Sequence, residues 1–457
     1  MAATIVILGG GVGGQVAANE LRRRLSRSVS EKVEHAPRRP VSSAKTPMIR
    51  SMTARAARLL GAPSALFGRA PSEHRIILIE KNTRHAFAPS FLWLMTGDRR
   101  PAQIVRDVRD LVSPDIEVVE AEARAIDVKA KRVETLARSF VFDYLVIALG
   151  AELALDAIPG LTEAAHTFYT LDGASRLQSA LNTFTGGTVA LVVGALPYKC
   201  PGAPHEAAML LADFFRRRGL RDKVEIRLLT PESQPMPVAG PELGDAVRRM
   251  LEDRGVIFHP LHKLTAVEPD AQQMRFEGKP PVRYDLLVAI PPHRSPALVR
   301  NAGLTNEAGW IPVDPRTLAT RHDRVYALGD VTAIPIPGRW KADVPLMLPK
   351  AGVFAHAQAL VVADRIAAEI AGLEATQTFR GHGFCMLEAG RHAAGVAYGD
   401  FYAEPAPRVE LRSVGRSWHL GKVLFEQWWL AGNGIRGAML ESALKIGSRM
   451  AGVPVTL

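Results

Sequence analysis

The sequence predicts an α/β fold with two tandem Rossmann-like dinucleotide-binding units and a C-terminal amphipathic helical region. Three observations carry this. TIVILGGGVGGQVAANEL runs from an apolar strand through clustered glycines into a helix. Two later apolar strands end in glycine, as VIALG and VYALGD. TVALVVGALPYKCPGAPHEAAMLL repeats the strand–turn–helix order in mid-chain. The expected units are residues 1–155, 156–300, a return to the first unit over 301–375, and a C-terminal region over 376–457.

In the first unit, residues 4–8 form the strand and residues 16–25 the helix. Gly9, Gly11 and Gly14 fit G-x-G-x-x-G. The first glycine permits the turn, the second admits a pyrophosphate, and the third lets helix and strand approach. The phosphates would meet N–H groups at the helix start. The next strand, HRIILIEKN, ends near Glu80, an acceptor for ribose hydroxyls. Residues 142–153 end a further strand at Gly150, and residues 321–335 another at Gly329 and Asp330. A carboxylate following a glycine can reach a cofactor hydroxyl. Taken in order, this set points to FAD. A helix over 353–370 follows, with Lys350 and Gly352 at its start. That position can stabilise negative charge on a reduced flavin, although a surface lysine at a helix start is an equally simple reading.

Residues 22–70 hold twelve Lys or Arg against Glu31 and Glu34, contributing +10 to a formal net charge of +11. The basic balance therefore lies in one stretch, most of it in an expected insert over residues 26–70. Its first half reads as loop and its second as a short helix. A solvated excursion and a contact with an anionic membrane or partner both fit. Nucleic acid is not expected, since no aromatic stacking platform accompanies the charge.

The second unit has a strand at 188–193 followed by Gly194, but Pro197, Pro201 and Pro204 stand where loose glycines belong. Proline has no N–H to offer a phosphate. A helix from about His205 and strands at 224–231, 255–260 and 284–294 complete the unit. The architecture is present without its nicotinamide-nucleotide signature, so reducing equivalents are expected to reach the flavin another way. Cys200 lies in this loop. The other cysteine, Cys385, sits in GHGFCMLEAG. Two unrelated thiols and a cooperating pair both remain open. His205 and Glu206 follow the loop as candidate bases, His382 precedes Cys385, and a helix N-terminus explains an acid equally well. No metal is expected, because no histidine or cysteine spacing suits one.

The C-terminal region carries Trp418, Leu420, Leu424, Phe425, Trp428, Trp429 and Leu430, then Ile435, Met439, Ile446 and Met450 at helical spacing. Arg436, Lys445 and Arg449 stand ready for anionic headgroups. Packing on the protein's own core is the alternative. No run of apolar residues is long enough to span a bilayer. The first strand begins close to Met1, so no signal peptide is expected.

The stretches HAFAPSFLWLMTG, YKCPGAPHEAAMLLADFF, LPKAGVFAHAQALVVADRI and GHGFCMLEAG resemble the sulfide:quinone oxidoreductases and the flavoprotein subunit of flavocytochrome c sulfide dehydrogenase. The resemblance implies a glutathione-reductase-like fold and FAD as cofactor. It implies sulfide and a sulfur acceptor as substrates, with membrane quinone, the expected acceptor, or in the other branch a cytochrome partner taking the electrons. It further implies a membrane-associated C-terminal region. With no signal peptide expected and basic residues beside the apolar ones, the expected place is peripheral (monotopic), on the cytoplasmic side of a membrane with an anionic surface; a homo-oligomer is left open. By the same resemblance Cys200 and Cys385 are the redox pair. Gly9, Gly11, Gly14, Glu80 and Asp330 touch FAD, and Lys350 meets the pyrimidine edge of the flavin. Many quinone-reducing members have a third cysteine, which this chain lacks. The rival readings are an NADH:quinone oxidoreductase and a flavin-binding scaffold without turnover.

Overall fold

The computed structural model describes residues 2–34 and 73–453, the side chains of 27–34 excepted. The chain opens with β1 (Thr4–Leu8), α1 (Val12–Glu34), β2 (Arg75–Glu80), β3 (Glu117–Glu120) and β4 (Tyr144–Ile147). It continues with β5 (Gly187–Val193), α2 (Ala203–Arg217), β6 (Val224–Leu229), β7 (Val256–His259) and β8 (Leu286–Ile290). Then come β9 (Val325–Ala327), α3 (Gly352–Ala371), β10 (His382–Glu388), β11 (Ala394–Asp400) and β12 (Arg408–Gly415). Two helices, α4 (Arg416–Trp429) and α5 (Ile435–Ala451), end the described chain.

The first sheet is parallel in the order β9-β4-β1-β2-β3. Its central β1 places Val6 opposite Ile77 and Leu145. Ile5 to Leu8 are fully buried, as an unbroken apolar run requires of a strand covered on both faces. On one face α1 packs against α3, with Ala17, Ala18, Ala359 and Ala363 in a common core with Ile5 and Ile7. β9 arrives from far along the chain, so the first unit is completed only after the second has been built.

The second sheet, also parallel, has the order β7-β6-β5-β8. α2 covers it, packing Ala207, Ala208, Leu211 and Phe215 against Val189 and Leu191. β10, β11 and β12 form an antiparallel sheet against which α4 lies. Among the described residues no helix is long and apolar enough to cross a membrane.

Two expectations need correction. Residues 26–34, read as loop, continue α1. No proline interrupts the chain before Pro37, and arginine, lysine and glutamate are good helix formers. The rest of the expected insert lies outside the described residues. The helix expected from about His205 starts at Ala203, with Pro204 in its first turn, where a missing N–H costs nothing.

Candidate functional site

The glycine turn joins β1 to α1. Gly9 has φ +100°, and a Cβ on Gly14 would stand 1.8 Å from the Gly9 oxygen. Both positions therefore exclude any side chain. A Cβ on Gly11, by contrast, would meet nothing within 4 Å, so that glycine leaves open space rather than serving the protein's own packing. Glu80 ends β2 and accepts the Gly10 N–H at 2.6 Å and the Asn82 N–H at 2.9 Å. It braces the turn from the next strand.

Asp330 follows β9, and Gly329 takes φ +73°. Asp330 Oδ1 is buried without a hydrogen-bond partner. Burial pushes its carboxyl up, opposed by Lys199 and Lys350. An orphaned acceptor is costly unless a ligand meets it. Gly329 N–H donates to Gln358 on α3 at 2.7 Å. Gly352 opens α3, and a Cβ there would be 3.7 Å from Val12 at the start of α1. The N-termini of the two helices thus converge beside the turn, a favourable setting for anionic groups. Gly150 has φ +68° with open space around it. The open Gly11 and the unpartnered Asp330 are what an FAD pyrophosphate and a cofactor hydroxyl require, so the residues fit the group.

Lys350 is 8 % exposed, and burial brings its ammonium down to about 8, against the pull of Asp330. Nζ donates to the backbone oxygens of Asp330 at 2.7 Å and Thr332 at 2.9 Å, and lies 3.5 Å above the Trp310 ring. The side chain therefore fixes the Asp330 turn. Its main chain does something else: Lys350 O accepts the Cys200 N–H at 2.7 Å.

Cys200 has φ +59°, an uncommon conformation for a non-glycine residue. That bond to Lys350 and the Ala203 N–H on Cys200 O at 2.9 Å hold it there. Cys385 lies on β10 opposite Ala397. A Cβ on Gly202 would stand 3.1 Å from Cys385 Sγ and 2.6 Å from Leu387. The bare glycine lets the Cys200 turn sit against the Cys385 strand, bringing together two residues 185 positions apart in sequence (385 − 200). Both are free thiols in this structure. Burial pushes Cys200 up to about 12, with Glu206 adding and Lys422 opposing. Cys385 is raised by burial, then by Cys200 and Glu206, with Lys422 again opposing.

The other candidates separate. His205 is buried with neither ring nitrogen hydrogen-bonded, and its ring is 6.3 Å from Phe258 on β7. Burial brings it down to about 4. It packs in the second unit's core as a neutral ring, which leaves the expected base role without support. His382 is exposed at the start of β10. Glu206, one residue along α2, is 2 % exposed and belongs to the cysteine centre. It pairs with Lys422 of α4 and accepts the Glu388 N–H at 2.9 Å.

Lys422 and its neighbours were missed by sequence reasoning. His419, Lys422 and Glu426 recur on one face of α4, reaching Glu388, Glu206 and Arg99 in turn. The signal was available: a lysine and a glutamate four apart inside an aromatic helix. Beside them on the same inward half of α4, Phe425 packs near Phe87 and Phe384, and Trp429 near His85 and Phe87. The exposed apolar residues at the C-terminus are instead Leu420 and, on α5, Ile435, Met439, Ile446 and Met450.

In the second unit Tyr198 OH donates to Glu232 at 3.0 Å, and Thr230 to the same oxygen at 3.1 Å. A Cβ on Gly194 would be 2.8 Å from Pro292. Glu232 stands just after β6, where a nicotinamide nucleotide would seek a ribose acceptor, but the loop's own tyrosine already uses it. Among the described residues no group of side chains suits a metal ion.

Residues 60–359 match the pyridine nucleotide-disulphide oxidoreductase family. The chain belongs to that family. It is a flavoprotein oxidoreductase with FAD as its cofactor. Within the family its likeness runs to the sulfide:quinone oxidoreductases. It is 27% identical over 276 residues to the mitochondrial sulfide:quinone oxidoreductase of Dictyostelium discoideum, covering 57% of this chain and 60% of that one. It is 27% identical over 391 residues to the sulfide-quinone reductase of Aquifex aeolicus, covering 81% and 89%. The crystal structure of the Aquifex aeolicus sulfide:quinone oxidoreductase superposes with a TM-score of 0.77 at 23% identity, covering 97% of this chain and 95% of that one. That likeness gives the family member its fold, including the C-terminal helices.

Proposed function

We propose that this flavoprotein oxidises sulfide at a Cys200–Cys385 disulfide and passes the electrons, by way of FAD, to a membrane quinone. The observation that carries the reading is the strap at Lys350. Its main chain holds the Cys200 turn while its side chain holds the Asp330 turn. The sulfur centre and the cofactor turn are thus joined through one residue.

In the oxidised enzyme, hydrosulfide attacks one sulfur of the disulfide. The S–S bond breaks, a new S–S bond forms as a persulfide, and the other cysteine leaves as thiolate. A second nucleophile then takes the sulfane sulfur and returns the persulfide cysteine to a thiolate. The two thiolates close again to the Cys200–Cys385 disulfide, and bound FAD would supply the acceptor for the two electrons this releases. Gly9, Gly11, Gly14, Glu80, Gly150, Gly329, Asp330 and Gly352 are the proposed cofactor residues. The aromatic cluster of Phe87, Phe384, Phe425 and Trp429 supports a flat apolar acceptor near the cysteine strand. The exposed apolar face of α5 supports attachment to a membrane surface without a spanning helix. The Tyr198–Glu232 contact counts against NADH as donor.

Anaerobic mixing tests the reading. Sulfide should bleach the flavin, and a quinone analogue should restore it; bleaching by NADH alone would overturn the proposal. Cys200→Ser and Cys385→Ser should each keep FAD and slow sulfide bleaching by about 10³-fold or more, since an alcohol cannot replace the thiolate. Parent-rate bleaching in both variants would sink the two-cysteine mechanism.

A further inference from the structure

The elements packed round the cysteines bring few charges to them. Glu206 comes from α2 and Lys422 from α4, while Asp330 and Lys199 act on Cys200 from the cofactor side. Tyr169 and Tyr198 are also near Cys200, both held neutral by burial and by the surrounding acids. Lys422 is 5 % exposed. Its ammonium pairs with Glu206, donates to Met386 O at 3.0 Å and lies 5.5 Å from the Trp93 ring centre. Met386 is the residue after Cys385, so the ammonium is anchored to the cysteine strand itself. Glu388, two residues further on, gives its N–H to Glu206 and its carboxylate to His419, with Nδ1 3.0 Å from Oε2. Burial opposes the charge on Lys422, but Glu206 and Glu388 together keep it protonated.

We propose that Lys422 is a positioning residue for the sulfur centre: through Glu206 and the Met386 carbonyl it holds a buried positive charge beside Cys200 and Cys385 that stabilises the thiolate released when the disulfide opens. This rests on the reading of the two cysteines as a redox pair. Opening the disulfide places a full negative charge in a site where burial disfavours it. A cation held on the carbonyl of the residue next to Cys385 lowers that cost, whereas the Glu206 carboxylate raises it. The two residues therefore act on the thiolate with opposite sign, although they stabilise each other. α4 is in this way part of the sulfur centre as well as a support for the C-terminal helices.

The test uses the reduced, FAD-loaded protein. The rate of iodoacetamide alkylation at each cysteine is followed by peptide mass spectrometry at a fixed pH of about 8, far below both thiol values, where the rate is proportional to the thiolate fraction. Lys422→Met should slow alkylation by about tenfold or more, and Lys422→Arg should restore most of the parent rate. Glu206→Gln should speed it. Because Glu206→Gln leaves a buried ammonium unpaired, the double variant Lys422→Met with Glu206→Gln provides a second measurement. Its rate should fall between those of the two single variants, and retained FAD reports the fold. Opposed changes support the proposal, because a merely structural role would not give them. Unchanged rates, or changes of the same sign in FAD-loaded variants, overturn it. The measurement needs neither sulfide nor quinone, so a failure of sulfide to bleach the flavin would be a separate result.

Discussion

At the scale of single residues, the glycines of the first turn do different work although they share one motif. Gly14 is small because the Gly9 oxygen lies where its Cβ would go, and Gly9 is a glycine because of its positive φ. Gly11 has neither constraint. Its replacement by alanine therefore separates fold from cofactor. Gly11→Ala should leave the unfolding free energy of the apoprotein within about 0.5 kcal/mol of the parent, as for an unencumbered surface change. It should weaken FAD retention, measured by flavin content after dialysis. A variant that keeps FAD as the parent does would remove Gly11 from the proposed pyrophosphate contact. This turn was legible in the sequence because turn chemistry is local: each glycine's reason lies within a few residues or on the adjacent strand. The Lys422–Glu206 pair was legible only in half: Lys422 and Glu426, four apart, mark a polar stripe on an aromatic helix, but the partner Glu206 is 216 residues away and no local pattern names it.

At the scale of elements, the mid-chain loop shows how a nucleotide-binding unit keeps its sheet and loses its ligand. β5, β6 and α2 keep their places, while Tyr198 turns its hydroxyl onto Glu232 after β6. Burial lifts Glu232 from an ordinary 4.5 to about 7, with Tyr198 and Thr230 opposing. The folded chain thus holds a proton there that the unfolded chain has released between about pH 4.5 and 7. Stability from this group is fully present below the unfolded value and is lost as pH rises through the folded one. The difference is at most about 3 kcal/mol. Glu232→Gln should lack this fall, so denaturant midpoints of parent and variant should diverge from pH 4.5 to 7 and run parallel above it. Parallel curves throughout would show that Glu232 does not carry the proton. The loss of the glycine signature was readable from Pro197, Pro201 and Pro204, because proline's lack of an N–H is a property of the residue alone. That Tyr198 closes the site required the fold.

At the scale of the whole molecule, the C-terminal helices divide their work in a way that composition concealed. Tryptophan and phenylalanine suit a membrane interface and a protein core equally well, so α4 read as a lipid-facing stretch. Its Lys422 and Glu426 are in fact buried, and they tie α4 to α2, to the β10 sheet and to Arg99. α5 packs on α4, and Asn433, in the turn before α5, donates to Asn19 at 3.0 Å. Its Ile435, Met439, Ile446 and Met450 are 59 to 85% exposed. Two truncations should therefore behave differently. Ending the chain after Gly434 removes α5 alone. The product should retain FAD and both reactive thiols but lose binding to vesicles, since each apolar side chain withdrawn from water contributes about 1.5–3 kcal/mol. The basic residues Arg436, Lys445 and Arg449 add about 1 kcal/mol each on an anionic surface. Binding of the parent should accordingly weaken, but not vanish, as salt is raised. Ending the chain after Gly415 also strips Glu206, Glu388 and Arg99 of buried partners. Breaking a buried pair by removing one member costs about 3–5 kcal/mol, so this product should lose FAD and melt far lower. Flavin content, melting temperature and vesicle sedimentation of the two products decide the matter. If the shorter chain keeps its flavin and stability, α4 is an appendage and the charge network holds nothing together. If the longer one still sediments with neutral vesicles at high salt, the membrane-facing surface lies elsewhere than α5.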